Sequence, residues 1–123
     1  MTNEELIHEL LRRVDAEDVD GLLELLADDC SFSMILLDRD VSGKAALGDF
    51  FRVQLSRWSE HRAWATNVIV EGDVAGSELH FEGVTSGGRK VVMDSLEVWD
   101  FAGGRIRRIR VYADTAPVRA AFA

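Results

Sequence analysis

Apolar positions recur at helical spacing through the first half of the chain and at a spacing of two through the second. Leu6, Ile7, Leu10, Leu11 and Val14 share one face of a helix over residues 4–16, and Glu4, Glu5, Glu9, Arg12 and Arg13 take the other. Asp18 or Asp20 can cap a second helix with a buried stripe of Val19, Leu22, Leu23, Leu25 and Leu26, ended by Asp28-Asp29. Residues 30–37 form a short apolar run suited to a strand. Ser42-Gly43-Lys44 opens a third helix carrying Leu47, Phe50, Phe51, Leu55 and Trp58. From residue 62 the period is two. Residues 62–71, 76–86, 89–101 and 105–114 read as strands, with Gly72-Asp73, Gly87-Gly88 and Gly103-Gly104 at the turns.

Helices followed by an antiparallel meander predict an α+β fold. One strongly curved antiparallel sheet wrapped around three N-terminal helices is the simplest way to bury three apolar stripes in so short a chain. The 123 residues suit a single domain over 1–123. Apolar residues at 47% and charged residues at 29% allow a core without covalent staples. The single cysteine, Cys30, excludes an intrachain disulfide and reads as core packing.

Charge and spacing narrow the function classes. A net charge of −8 argues against nucleic acid or an anionic membrane surface as partner. No run approaches 18 apolar residues, and the acidic N-terminus lacks the pattern of a secretory signal, so a cytoplasmic location is expected. Three dispersed histidines have no ligand spacing, so no metal site is expected. His8 and His61 read as surface residues. No Gly-x-Gly-x-x-Gly element joins a strand to a helix. The arginines of 105–110 are expected to pair with neighbouring acids.

Turn geometry sorts the strand residues by face. A two-residue Gly87-Gly88 loop would pair Ser86 with Arg89, Glu82 with Met93, His80 with Ser95 and Glu78 with Glu97. A three-residue Ala102-Gly103-Gly104 loop would set Ile109, Val111 and Ala113 beside Glu97, Ser95 and Met93; a two-residue loop would set Glu97 opposite Arg110. Under the first pair of choices, Glu78, His80, Glu82, Ser95 and Glu97 face the helices among Met93, Trp99 and Val111. Two carboxylates about 5 Å apart there would not both ionise easily, which suits general acid/base work. The competing reading leaves Glu78, His80 and Glu82 as the solvated side of a strand whose other side is Leu79, Phe81 and Gly83.

Four segments carry a family resemblance. They are Leu25-Leu26-Ala27-Asp28-Asp29-Cys30-Ser31-Phe32, Val41-Ser42-Gly43-Lys44-Ala45-Ala46-Leu47, Phe101-Ala102-Gly103-Gly104-Arg105-Ile106 and Val111-Tyr112-Ala113-Asp114. With them the chain resembles the nuclear-transport-factor-2-like superfamily, and within it the SnoaL-like polyketide cyclases and ketosteroid-isomerase-like enzymes. The resemblance implies a cystatin-like α+β barrel, a cone enclosing an apolar cavity, no cofactor, a small apolar ligand and a homodimer. The positions it aligns to ketosteroid isomerase's base, tyrosine and protonated acid are Met34, Leu10 and Glu97, so one of three roles is filled. The positions matching the Asp-Arg-Asp set of limonene-type epoxide hydrolases are Glu78, His80 and Val111.

Two functions are carried forward. One is a cofactor-independent cyclase, isomerase or dehydratase with Glu97, His80 and Glu78 as its catalytic set. Its ligand-binding residues would be Met34, Glu82, Met93, Ser95, Trp99 and Val111. The other is a non-catalytic ligand-binding or dimerisation module of the same fold. Asp38 is either a residue at the cavity mouth or an ordinary turn residue.

Overall fold

The computed structural model describes residues 1–34, 37 and 39–123. Asp38 lies outside the described residues. Helix α1 (Asn3–Asp15) starts at a reciprocal cap: the Thr2 hydroxyl accepts the Glu5 N–H at 3.1 Å, and the Thr2 N–H donates to Glu5 Oε1 at 3.4 Å. Its buried face is Leu6, Ile7, Leu10 and Leu11. Helix α2 (Val19–Glu24) is capped by Asp18, whose carboxylate accepts the Gly21 N–H at 2.9 Å.

Strand β1 (Leu26–Met34) begins where the sequence pattern continued a helix. Leu26 pairs with Ile106 and Phe32 with Ile109, so pairing with a distant strand overrides local helix propensity. The two-residue β2 (Val41–Ser42) leads into α3 (Lys44–Ser56). Trp58 opens β3 (Trp58–Glu71) rather than closing α3. Strands β4 (Val74–Thr85), β5 (Lys90–Ala102) and β6 (Arg105–Ala113) complete the meander. A short helix α4 (Ala116–Ala121), with Pro117 in its first turn, was not anticipated.

The six strands form one curved, unclosed sheet in the order β2-β1-β6-β5-β4-β3. Among the described residues, only the β1–β6 pair is parallel. The concave face closes over α1, α2 and α3, where Leu22, Leu26, Leu47 and Ile106 are fully buried with the first-helix stripe. Cys30 lies in this core, and burial, helped by the nearby Asp29 charge, pushes its thiol pKa up to about 12.

Both glycine hairpins depart from the expected loops. At the β4–β5 turn Thr85 pairs with Arg89: the Thr85 N–H donates to the Arg89 carbonyl at 2.8 Å, and the Thr85 hydroxyl accepts the Arg89 N–H at 3.1 Å. The loop is therefore Ser86-Gly87-Gly88, with Gly88 at φ +85° supplying the left-handed residue a three-residue hairpin needs. One extra residue moves the register by one. Ser77 now opposes Glu97, Leu79 opposes Ser95, and Phe81 opposes Met93. Every β4 side chain is thereby on the face opposite to that expected from a two-residue loop.

At the β5–β6 turn, Gly103 (φ +59°) and Gly104 (φ +75°) form a two-residue loop instead of three. A register shift follows, with Phe101 opposite Ile106 but Asp100 opposite Arg108. This bulge at Arg107 returns Val111 to the inner face, opposite Glu97, and Ile109 opposite Trp99.

Candidate active site

The concave face and the helices enclose a cavity of about 320 Å³. Strand β5 supplies Met93, Ser95, Glu97 and Trp99, and β4 supplies Leu79 and Phe81. Phe32 and Met34 come from β1, and Ile109 and Val111 from β6. Helices α1 and α3 add Leu10, Leu11, Phe50, Phe51 and Leu55, and Val118 and Phe122 stand at the C-terminal side. The walls are mostly hydrocarbon, so an apolar ligand gains by leaving water. A second groove, of about 450 Å³, has charged walls that include Glu60, Arg62, Glu82 and Lys90.

Glu97 is an acid on the cavity wall, and it is only 3% exposed. The Ser77 hydroxyl lies 3.0 Å from Glu97 Oε1, and the Trp99 indole N–H donates to the Ser77 oxygen at 2.8 Å. The Ser95 hydroxyl is in hydrogen-bond contact with Glu97 Oε2. Burial raises the Glu97 pKa above the usual carboxylate range, against the lowering effect of the two serines.

The donor inventory places the proton. An indole N–H can only donate, so Ser77 accepts from Trp99 and directs its own proton to Oε1. Oε1 is therefore an acceptor whether Glu97 is neutral or ionised. When Glu97 holds a proton, that proton sits on Oε2, beside half-buried Ser95. In the neutral state Ser95 accepts from Oε2 and its own O–H is free; in the ionised state Ser95 donates to Oε2.

The structure divides the expected site residues. Met34, Met93, Ser95, Glu97, Trp99 and Val111 line the cavity. Glu78, His80 and Glu82 do not: the one-residue register change turns them to the outer face, and no Glu78–Glu97 pair forms. Glu78 accepts from Asn67 at 3.1 Å. His80 contacts Asp94 through Nδ1 at 2.7 Å and Glu82 through Nε2 at 3.4 Å, and it lies 4.9 Å from the Trp64 ring. The hydrogen bond to Asp94, then that to Glu82, raises the His80 pKa. Arg62, on Glu82 at 2.9 and 2.6 Å, is the main reason that the Glu82 pKa is lowered.

Ser77, His61 and Asp15 are polar residues of the cavity region that escape the sequence pattern. Ser77 shares its face with Leu79 and Phe81, a signal available once the register is known. His61, expected at the surface, turns inward opposite Gly83, where the same alternation puts Ala63 opposite Phe81. Asp15 lines the cavity and accepts the Ala63 N–H through Oδ1 at 2.9 Å. Burial raises its pKa against that hydrogen bond and the nearby His61 and Arg62 charges.

A curved six-stranded sheet closed over N-terminal helices around an apolar cavity is the nuclear-transport-factor-2-like cone. The chain belongs to the SnoaL-like domain family, whose family model matches residues 7–109. No curated protein matches it in sequence. Among solved structures it is similar to an NTF2-like protein of unknown function from Burkholderia pseudomallei K96243, with 21% identity, 98% of each chain covered and a TM-score of 0.88. It is also similar to TerC co-crystallised with polyporic acid, with 18% identity, 97% of this chain and 96% of that one covered, and a TM-score of 0.86. A third is SalBIII, an epoxide hydrolase/cyclase-like enzyme in pyran ring formation in polyether salinomycin. Identity there is 19%, coverage is 93% of this chain and 92% of that one, and the TM-score is 0.81. At these identities the likeness is one of fold.

Proposed function

We propose that the chain is a cofactor-independent enzyme that moves protons on a small apolar ligand, in a reaction of the cyclase, isomerase or dehydratase type. The observation that carries this is Glu97: a buried carboxyl with a raised pKa on the wall of an apolar cavity. Neutral Glu97 gives its Oε2 proton to a ligand oxygen, breaking one O–H bond and forming another. The carboxylate then takes a proton from the ligand, and the acid is restored. Ser95 accepts the Oε2 proton until a ligand oxygen takes its place, and it donates to Oε2 once the proton has left. The activity of SalBIII and the ligand of TerC, both on the same fold, support a ligand cavity used for such chemistry.

The test is a panel of small polyketides, steroids and epoxides screened by thermal shift, because binding to the native state raises Tm. Ligands that bind are then followed for turnover. Glu97→Gln is expected to keep binding and lose about 10²- to 10⁴-fold in rate. Unchanged turnover in Glu97→Gln overturns the mechanism. Binding without turnover of any ligand by the wild type makes the protein a non-catalytic binding module.

We also infer a homodimer through the outer face of β3–β6. Trp64, Val92, Leu96 and Tyr112 are exposed there, and the same face carries Arg62 and Arg110 as well as Glu78, Glu82 and Asp94. Charges of both signs around apolar groups suit a self-complementary two-fold contact. A solution mass of two chains, reduced to one by Leu96→Glu, is the expected result, and a monomeric wild type overturns it.

A further inference from the structure

The cavity has a second polar end, away from Glu97. His61 lines it with a side chain only 6% exposed, and its Nε2 lies 2.8 Å from Glu17 Oε1. A carboxylate accepts, so Nε2 carries a proton and donates to Glu17, which leaves Nδ1 as the ring's second hydrogen-bonding position. Among the described residues nothing hydrogen-bonds to that nitrogen. Asp15 lines the same end with its Oδ1 already on the Ala63 N–H. Both side chains thus have hydrogen-bonding capacity to spare, and a hydroxyl, which can donate or accept, is the ligand group that suits them.

Glu17 explains how the ring is held. The chain leaves α1 through two hydrogen bonds, Glu17 N–H to the Val14 carbonyl at 3.0 Å and Asp18 N–H to the Arg13 carbonyl at 2.9 Å. That motif needs a left-handed residue between helix end and Asp18, and Glu17 takes it at φ +56°. Glycine adopts this conformation freely, whereas glutamate adopts it at a cost. The carboxylate that occupies this position makes its hydrogen bond to His61.

We propose that His61, oriented by Glu17, binds the hydroxyl end of an elongated apolar ligand whose carbonyl oxygen meets Glu97. This rests on the acid/base reading of Glu97 given above. His61 is opposite Gly83 and Glu97 is opposite Ser77, at positions six residues apart on β4. That is roughly 20 Å of strand, shortened through the cavity by the curvature of the sheet. The ligand class is therefore one with a hydroxyl near one end and a ketone near the other.

Two steroids probe this directly: testosterone, with a 3-ketone and a 17-hydroxyl, and androst-4-en-3-one, which lacks the hydroxyl. The wild type is expected to bind testosterone about tenfold more tightly, the worth of one hydrogen bond. His61→Phe should abolish the preference, and Glu97→Gln should keep it. Glu17→Gly, which relieves the left-handed backbone, should keep or raise Tm yet lose most of the preference. A merely structural Glu17 would not separate those two readouts, and Glu17→Gly remains informative if His61→Phe fails to fold. Histidine nitrogen shifts should report a proton on Nε2 of His61 in the free protein. An undiminished preference in His61→Phe or in folded Glu17→Gly overturns the assignment, and binding of neither steroid overturns the ligand class. The acid/base reading is judged separately, by turnover in Glu97→Gln.

Discussion

Ser77 and Glu97 stand directly opposite each other on β4 and β5, with the serine hydroxyl 3.0 Å from the carboxyl oxygen Oε1. Both residues are almost fully buried. The contact fixes one Glu97 oxygen as an acceptor because the Trp99 N–H already occupies the serine oxygen. A carboxyl held this way has one oxygen committed to structure and one available for chemistry.

Replacing Ser77 with Ala removes the partner of two buried groups, the Trp99 N–H and Glu97 Oε1. The expected cost is about 1–3 kcal/mol, the usual penalty for leaving a buried polar group unsatisfied. It should appear as a lower urea midpoint with an unchanged slope. The same change removes a hydrogen bond that lowers the Glu97 pKa, so that pKa should rise further. A carboxyl-carbon NMR titration of Ser77→Ala against the wild type reads that direction.

The pH dependence of stability carries a definite sign. Burial holds the folded pKa of Glu97 above its unfolded value, so folding favours the neutral acid. That contribution is complete below the ordinary carboxylate range and is lost as pH rises through the raised folded value. Glu97→Gln is neutral at every pH. The difference in Tm, wild type minus Glu97→Gln, is therefore expected to be largest in acid and to fall towards neutral pH. A difference that grows with pH would contradict a raised pKa.

The alternation along β5 made its inner face readable. Met93, Ser95, Glu97 and Trp99 stand two apart, and large apolar neighbours around one acid mark a cavity wall rather than a wet surface. The face of β4 was not readable, because it depends on whether Ser86 belongs to the loop or to the strand. The Thr85–Arg89 contacts and the left-handed Gly88 decide that, and neither follows from periodicity. Val111 reaches the inner face by a two-residue turn and a bulge at Arg107, a combination with the same facing as the expected three-residue loop. His61 could have been found only by extending β3 back to Trp58, where local pattern continues α3. Glu78, His80 and Glu82 fit the plainer reading of their strand, with charges outward and Leu79 and Phe81 inward.

The outer-face residues give a contrast to Glu97. In the monomeric Leu96→Glu background, Glu78→Gln and His80→Gln are expected to leave the denaturation midpoint nearly unchanged, since surface substitutions rarely move it. Neither should alter ligand affinity, because neither side chain lines the cavity. Denaturation midpoints and thermal shifts with one bound ligand check both statements. A large loss of affinity in His80→Gln would mean that the outer face takes part in binding.

Gly83 is a packing position that no side chain can share. A Cβ there would meet Trp58 Cε3 at 2.7 Å, Trp58 Cζ3 at 2.8 Å and Phe81 Cε1 at 2.9 Å. The two rings are themselves packed edge to face, with centroids 4.8 Å apart. Gly83→Ala must therefore displace a ring of the cavity wall, at an expected cost of about 1–3 kcal/mol. Tryptophan fluorescence should report the shift of Trp58, and ligand affinity should fall with it. Wild-type stability in Gly83→Ala would show that the rings have room to move.

The C-terminal helix forms one side of the cavity through Val118 and Phe122. Phe122 packs edge to face on Trp58, with centroids 5.3 Å apart, and the Arg57 guanidinium lies 5.4 Å from the centre of its ring. The helix is also tied to the β4–β5 hairpin, where Arg89 Nη1 donates to the Ala120 carbonyl at 2.8 Å. Phe122 is 39% exposed, so truncating it should cost only about 0.5–1.5 kcal/mol, the worth of an aromatic pair. Its effect on binding should be larger in proportion, because the ring covers a bound ligand from water. Phe122→Ala is expected to speed ligand dissociation more than association. Arg89→Ala tests the same relation without removing any cavity wall, since it loosens the helix but leaves Phe122 in place. Stopped-flow dissociation rates for one bound ligand should rise in both variants. A rise in Phe122→Ala alone would mean that the ring matters as lining and that the helix need not be tethered to hold the ligand.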